Sequence, residues 1–251
     1  MIKLITASIR VCCAGAIFVL AGNVSAHPGH TLNEWDHDHG DISIGFENGE
    51  LDIHVHFEDG LNGIGPEIEY HTDEIYIRVG DSAKVEPTEA VPYLGTGPGE
   101  PIWVLPQSGT MADALGLPYV GIATDDLDDS VFTSVDLRMT GYLGPGDVAV
   151  WQSDGLSDNV FFQTSDLVGP DDLMQLPIGI HDHNNFGFTK RGVYQVALKA
   201  TGYLATGESL DDYAIVTFVV GSSTAVPEPG SMTLLASMGV VGMLGRRRRR
   251  S

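Results

Sequence analysis

The middle of the chain alternates apolar and polar residues in short runs, a pattern typical of β-strands. In the segment 51–57 every second residue is apolar, so these side chains share one face of a strand and are expected in the core. The preceding run, 42–47, ends at Asn48-Gly49, a dipeptide that favours a two-residue hairpin turn. No apolar stripe of helical spacing extends over ten residues or more. The pattern therefore predicts an all-β protein.

Further strands are predicted wherever β-branched and aromatic residues cluster between glycines and prolines. The last two of these runs are expected to pair with each other and to close the sheet. Together the runs predict an antiparallel β-sandwich of immunoglobulin-like or jelly-roll-like type. They cover residues 74–79, 102–105, 131–139, 147–152, 160–162, 193–201 and 213–220.

The N-terminal segment has the three parts of a secretory signal peptide. Lys3 and Arg10 supply the positive region, and residues 11–21 form an uncharged apolar run that is too short to span a membrane. Small residues precede the predicted cleavage by signal peptidase between Ala26 and His27. Both cysteines of the chain lie within this segment, so the mature protein is expected to contain neither a disulfide nor a reactive thiol.

The C-terminal segment has a more specific sequence pattern than the N-terminal segment. Pro227-Glu228-Pro229 is followed by the apolar stretch 231–244, and a run of arginines then ends the segment: Arg246, Arg247, Arg248, Arg249 and Arg250. An apolar helix that enters the membrane with its arginines on the cytoplasmic side satisfies the positive-inside rule. This arrangement resembles the bacterial PEP-CTERM sorting signal. The resemblance implies an exosortase-type partner, a transient intermediate in the inner membrane, and delivery to the cell surface or extracellular matrix.

Three regions follow from these boundaries: a signal peptide (1–26), a β-domain (27–221), and a linker with the sorting tail (222–251). Seven of the 13 basic residues lie in the two end segments. The region 27–225 therefore carries six basic and 33 acidic residues, a formal charge of −27. Such a surface repels nucleic acid and attracts cations, so no nucleic-acid partner is expected.

The β-domain also resembles a second family, the surface-anchored domain called choice-of-anchor M. The resemblance rests on the segment 103–107 (Trp-Val-Leu-Pro-Gln) and on the histidine, aromatic and glycine spacing of residues 181–194. The segments 39–41, 49–51 and 218–221 fit as well. In actinobacteria this domain accompanies metal-type ABC transport systems. The resemblance therefore implies a binding role and not a reaction.

Six of the nine histidines form three His-x-His pairs. On a strand, residues i and i+2 share a face, so two imidazoles can reach one metal ion. The predicted ligands are His181 and His183, helped by His54, His56 and His39. Neutral imidazole suits zinc, copper, nickel or iron, and added carboxylates extend the choice to manganese.

Each histidine pair also has an interpretation without metal. His54 and His56 lie opposite the apolar face and can simply face water, and His39 can belong to a solvated N-terminal segment. His181 and His183 can satisfy loop backbone, with Asp182 between them as a ligand or as an acceptor that orients an imidazole.

No enzyme signature appears in the sequence, and we expect a non-enzymatic protein. A metal-dependent hydrolase and a glycan-binding surface module, with extracellular polysaccharide as a partner, remain the alternatives. Trp103 and Trp151 are expected in the core and not as sugar platforms. The acidic segment 124–130 lacks the spacing of an EF-hand loop and is interpreted as a solvated turn.

Overall fold

The computed structural model describes residues 32–226. The predicted signal peptide, its cleavage site, and the sorting tail from residue 227 onward lie outside the described residues. One short α-helix, α1 (Gly109–Leu115), is present in the described part, and no helix there is long and apolar enough to cross a membrane. Single turns of 3-10 helix occur at Leu61–Gly63, Asp81–Ala83 and Pro92–Leu94.

Strands make up most of the described chain, as the sequence predicts. In chain order they are β1 (Asn33–Trp35), β2 (Asp38–Glu47), β3 (Glu50–Phe57), β4 (Ile68–His71), β5 (Ile75–Val79), β6 (Lys84–Val85), β7 (Ile102–Leu105), β8 (Pro118–Ala123), β9 (Phe132–Leu143), β10 (Val148–Ser153), β11 (Asp158–Gln163), β12 (Leu173–Leu176), β13 (His181–His183), β14 (Asn185–Phe188), β15 (Gly192–Leu204) and β16 (Ser209–Val220).

The strands form three open sheets. One has the order β1-β5-β16-β15-β9-β12, the second β11-β10-β14-β7-β6, and the third β13-β8-β2-β3-β4. Most neighbours are antiparallel, but within residues 32–226 the pairs β1–β5, β5–β16 and β2–β8 are parallel. The purely antiparallel arrangement expected from the sequence is therefore wrong for these pairs. Alternation within one strand does not reveal the direction of its neighbour.

The hairpin predicted at Asn48-Gly49 is present between β2 and β3. Both turn residues have positive φ angles, 53° and 88°, as the tight turn between twisted strands requires. The predicted closing pair is β15 and β16. These strands are antiparallel, and Gly192 pairs with Val220 at one end of the register and Tyr203 with Ser209 at the other.

One apolar core joins all three sheets. The alternating residues of the segment 51–57 are at most 5 % exposed, which confirms that this face of β3 is buried. Burial of this kind contributes about 25 cal/mol per Å² of apolar surface. The core draws on each sheet, with Val135, Leu137 and Val196 from the first, Val150, Phe186 and Phe188 from the second, and Ile42, Ile44 and Ile53 from the third.

Candidate metal centre

The third sheet carries a cluster of histidines on the face that points away from the core. His39 and Asp41 come from β2, and His181 and His183 from β13; the strand β8 lies between them. The registers align Asp41 and His183 with Gly121 of β8. Because alternate residues of a strand share a face, all four side chains project to the same side. Each offers one ligand atom, and these four atoms lie within 4.8 Å of one another.

The tightest part of the cluster joins three atoms. His39 Nε2 is 3.1 Å from His181 Nε2, and Asp41 Oδ1 is 2.9 Å from His181 Nε2 and 3.6 Å from His39 Nε2. Ligand bonds of 2.0–2.1 Å in a tetrahedral zinc site place neighbouring ligand atoms about 3.3 Å apart. The three atoms therefore already have the spacing that one zinc ion requires.

Asp41 is the most enclosed member of the cluster. Its side chain is 4 % exposed, and its Oδ1 atom has no partner in hydrogen-bond geometry. Burial raises the pKa of Asp41, although the nearby His39 and His181 oppose that shift. A buried carboxylate oxygen without a hydrogen bond is costly unless a cation compensates its charge.

His183 is held in its neutral form. Burial, followed by the proximity of His39 and His181, lowers the pKa of His183 to about 4. Its ring stacks on Tyr119 with the centroids 3.6 Å apart and the planes inclined by 6°. The Nδ1 atom of His183 is buried without a hydrogen-bond partner. A neutral imidazole fixed by stacking is in the state that binds a metal ion.

Gly121 leaves the space in which the cluster lies. A Cβ atom at this position would collide with Asp41 Oδ1 and lie 3.2 Å from His181 Nε2. Any side chain on β8 at this point would therefore fill the gap between the carboxylate and the imidazole. Glycine in a strand commonly marks such a close approach.

Thr124 fixes the segment that leads into β13. Its Oγ1 atom donates to the Pro177 carbonyl at 2.7 Å and accepts from the Ile180 amide at 3.3 Å. Its amide donates to the Ile180 carbonyl at 2.8 Å, and its carbonyl accepts from the Gly179 amide at 3.2 Å. These bonds set the register of β13 against β8 and so the position of its histidines. Asp125, the next residue, has Oδ2 3.7 Å from His181 Nδ1.

The structure places only three of the five predicted histidine ligands in this cluster: His39, His181 and His183. His54 and His56 lie on β3, on the same face but outside the cluster, although His56 is the cross-strand neighbour of Asp41. His56 Nε2 is 3.0 Å from Glu67 Oε1. His54 is 6 % exposed, so it does not face water as its position on the polar side of β3 suggested.

The acidic residue of the cluster is Asp41 and not Asp182, which the sequence analysis had suggested. Asp182 is exposed and faces away from the cluster, because it lies between His181 and His183 on a strand. Asp41 was missed. The predicted strand 42–47 contains neither His39 nor Asp41, so their shared face became visible only because β2 begins at Asp38.

Comparison with known proteins explains the tail and not the β-domain. Residues 225–250 match the model of the PEP-CTERM protein-sorting motif. The motif implies an exported protein that an exosortase recognises and sorts to the cell surface, which confirms the prediction for this segment. No curated protein and no solved structure matches the chain.

Proposed function

We propose that the β-domain, a sandwich of the surface-anchored choice-of-anchor M type, is a non-enzymatic metal-binding protein displayed outside the cell. Its metal is a zinc-class divalent cation held by His39, Asp41, His181 and His183. The observation that supports this proposal is the convergence of these four side chains, among them a buried Asp41 oxygen without a hydrogen bond. Cleavage of the signal peptide after Ala26 and a transient inner-membrane stage belong to the same proposal.

The ligand chemistry supports zinc in preference to harder cations. Three imidazoles and one carboxylate suit zinc and the neighbouring transition metals, whereas magnesium and calcium favour oxygen. Manganese is the second choice, because Asp41 adds an oxygen ligand.

Four protein ligands also favour binding over catalysis. Catalytic zinc sites keep one position for water or substrate, and structural sites are closed by four side chains. The alternative of a glycan-binding module is weakened by the tryptophans, since Trp35, Trp103 and Trp151 are at most 7 % exposed. None of them offers a flat surface on which a sugar ring can stack.

Elemental analysis of the exported protein tests the proposal. We expect one equivalent of zinc in the unchanged protein after dialysis, and none after the double substitution His39→Gln and His181→Gln. The matched control is His71→Gln, since His71 lies on β4 outside the cluster. Zinc that survives the double substitution, or a wild-type protein that neither contains nor takes up zinc, would refute the proposal.

Sorting is tested separately. Substituting Pro227 and Pro229 by alanine removes the residues that mark the start of the sorting signal. We expect the variant to keep an uncut tail and to leave the surface fraction. Mass spectrometry of the mature chain and fractionation of the cells measure the two effects. Normal processing of the variant would contradict this expectation.

A further inference from the structure

A second group of ligand atoms lies on the same outer face of the third sheet. His54 is on β3, Glu69 is on the adjacent β4, and Asp126 is in the loop that follows β8. His54 Nε2 is 3.9 Å from Glu69 Oε1 and 4.0 Å from Asp126 Oδ2. One imidazole nitrogen therefore faces two carboxylates that come from different parts of the chain.

His54 has the burial of a ligand, and the charged groups around its ring are carboxylates. The residue is 6 % exposed, and neither ring nitrogen has a partner in hydrogen-bond geometry. Asp52 Oδ2 is nevertheless 3.2 Å from Nδ1. A carboxylate behind one ring nitrogen leaves the other nitrogen to bind a metal, an arrangement common among metal-bound histidines.

We propose that His54, Glu69 and Asp126 form a second divalent-cation site, separate from the zinc-class site and suited to manganese. One imidazole with two carboxylates is a harder donor set than three imidazoles with one carboxylate, and it shifts preference towards manganese. Water completes the coordination, because the Glu69 and Asp126 side chains are 51 % and 44 % exposed.

The surroundings of His54 support a built site. Gly45 lies beside the ring, and a Cβ atom there would be 3.0 Å from His54 Cε1. Ser43 is paired with His54 across β2 and β3; its hydroxyl is fully buried and has no hydrogen-bond partner. The sheet therefore leaves room for the imidazole and places a further unpaired polar group on the same face.

The gaps of 3.9 and 4.0 Å are wider than those of the first cluster. Glu69 and Asp126 must therefore move inward to bind one ion together with His54. Both are half-exposed side chains, and Asp126 belongs to the turn 124–130, so this movement displaces no core residue. The adjacent Asp125 approaches His181 of the first cluster, so consecutive residues of one loop reach the two sites.

Titration with manganese alone tests the second site. The exported protein is first loaded with zinc, so that the four-ligand cluster is occupied, and Mn²⁺ is then added and followed by electron paramagnetic resonance. We expect one further equivalent of Mn²⁺ to bind, with nitrogen hyperfine coupling from one imidazole. Glu69→Gln and Asp126→Asn should each weaken Mn²⁺ binding at least about tenfold, because each removes a charged ligand. Both positions are half exposed, so these variants keep the fold.

The matched control is Asp129→Asn, which removes the same charge from the same loop at a position that makes no contact with His54. It should leave the Mn²⁺ isotherm unchanged. If the zinc-loaded protein takes up no Mn²⁺, or if the Glu69 and Asp126 variants bind it as the unchanged protein does, the second site does not exist and His54 serves only an ion-pair network.

The variant His181→Gln distinguishes failure of the first site from failure of the second. That variant should lose zinc and keep the Mn²⁺ signal with its nitrogen coupling. Loss of both signals in His181→Gln, in a protein that remains folded, would show one shared site and would overturn the proposal.

Discussion

The Nε2 atoms of His39 and His181 lie 3.1 Å apart, although 142 residues separate these histidines along the chain. In the absence of metal, one neutral imidazole can donate to the other. That contact leaves the Asp41 oxygen 2.9 Å from His181 Nε2 without a hydrogen bond. A cation between the three atoms satisfies all of them at once. The proposed function therefore assigns the metal ion to the space between these three atoms, part of which the proton shared by the two imidazoles fills.

Asp41→Asn should abolish metal binding without destabilising the metal-free protein. Burial raises the pKa of Asp41, which means that its charge is unfavourable in the fold when no cation is present. Asparagine keeps the shape and removes the charge. We expect zinc affinity to fall by more than about 100-fold, since even the loss of outer partners costs 10–100-fold. The melting temperature in chelator should be equal to that of the unchanged protein or higher.

Isothermal titration with zinc and thermal melts with and without chelator measure both effects. The matched control is Asp182→Asn, an identical change on β13 whose side chain faces away from the cluster. It should leave zinc affinity intact. Equal losses in both variants would mean that general negative charge, and not the Asp41 ligand, attracts the metal.

Gly121→Ala should also abolish zinc binding, because the added methyl group fills the space of the site and every ligand is retained. The added Cβ would collide with Asp41 Oδ1 and approach His181 Nε2. Overpacking of this kind costs about 1–3 kcal/mol of stability. We expect a folded protein with lowered stability and no bound zinc, as measured by circular dichroism and elemental analysis. The control Gly141→Ala adds the same methyl group on β9 where no atom lies within 4 Å; zinc retained by Gly121→Ala would contradict the prediction.

Strand-by-strand alternation was sufficient to locate β3, β9 and β15, because each has a buried and a more exposed face. The same alternation in the sequence located β2 and β16, although residues 40–45 and 216–220 are buried on both faces. It also identified His181 and His183 as a pair on one face. It missed β8, which is buried along most of its length and shows no alternation. Since β8 lies between β2 and β13, the meeting of His39 with His181 could not be predicted. Which strands are neighbours depends on contacts between distant segments.

The same limit explains why the sequence revealed neither Asp41 as a candidate ligand nor the burial of His54. Asp41 is an ordinary acidic residue in the sequence and becomes a candidate ligand only when β13 is placed beside β8. His54 lies on the polar side of β3, yet it is buried, because other polar side chains of this face surround it. Period-two alternation assigns a face but does not report what covers that face.

Thr124→Val should weaken zinc binding, because the Thr124 hydroxyl fixes the position of β13 and its histidines. Valine has nearly the same shape but lacks the hydroxyl that joins the Pro177 carbonyl and the Ile180 amide. Because both groups then lose a partner next to the core, we expect a loss of about 1–3 kcal/mol in the free energy of unfolding. Zinc affinity should fall about tenfold, as for other residues that orient ligands.

Denaturant titration in chelator and zinc titration measure these two effects of Thr124→Val. Thr124→Ser is the matched control, since it keeps the hydroxyl and should restore most of the zinc affinity. If serine and valine at this position bind zinc equally, the hydroxyl does not position the site.

Asp212→Asn should stabilise the protein at neutral pH and have little effect in acid. Burial raises the pKa of Asp212 above its ordinary value of 3.8, although bonds from the Ile53 and Tyr213 amides partly offset this shift. A carboxyl whose pKa is raised by folding does not destabilise the folded state below pH 3.8; the penalty grows as the pH rises above that value and is complete above the folded pKa. Asparagine keeps an oxygen to accept from the Ile53 amide, which lies 2.8 Å from Asp212 Oδ2. Urea titrations of both proteins in chelator, from pH 3.5 to 8, should therefore show a stability gain that grows as the pH rises and then becomes constant. A gain of the same size at every pH, or a loss at pH 7, would show that the charge of Asp212 is not the cause.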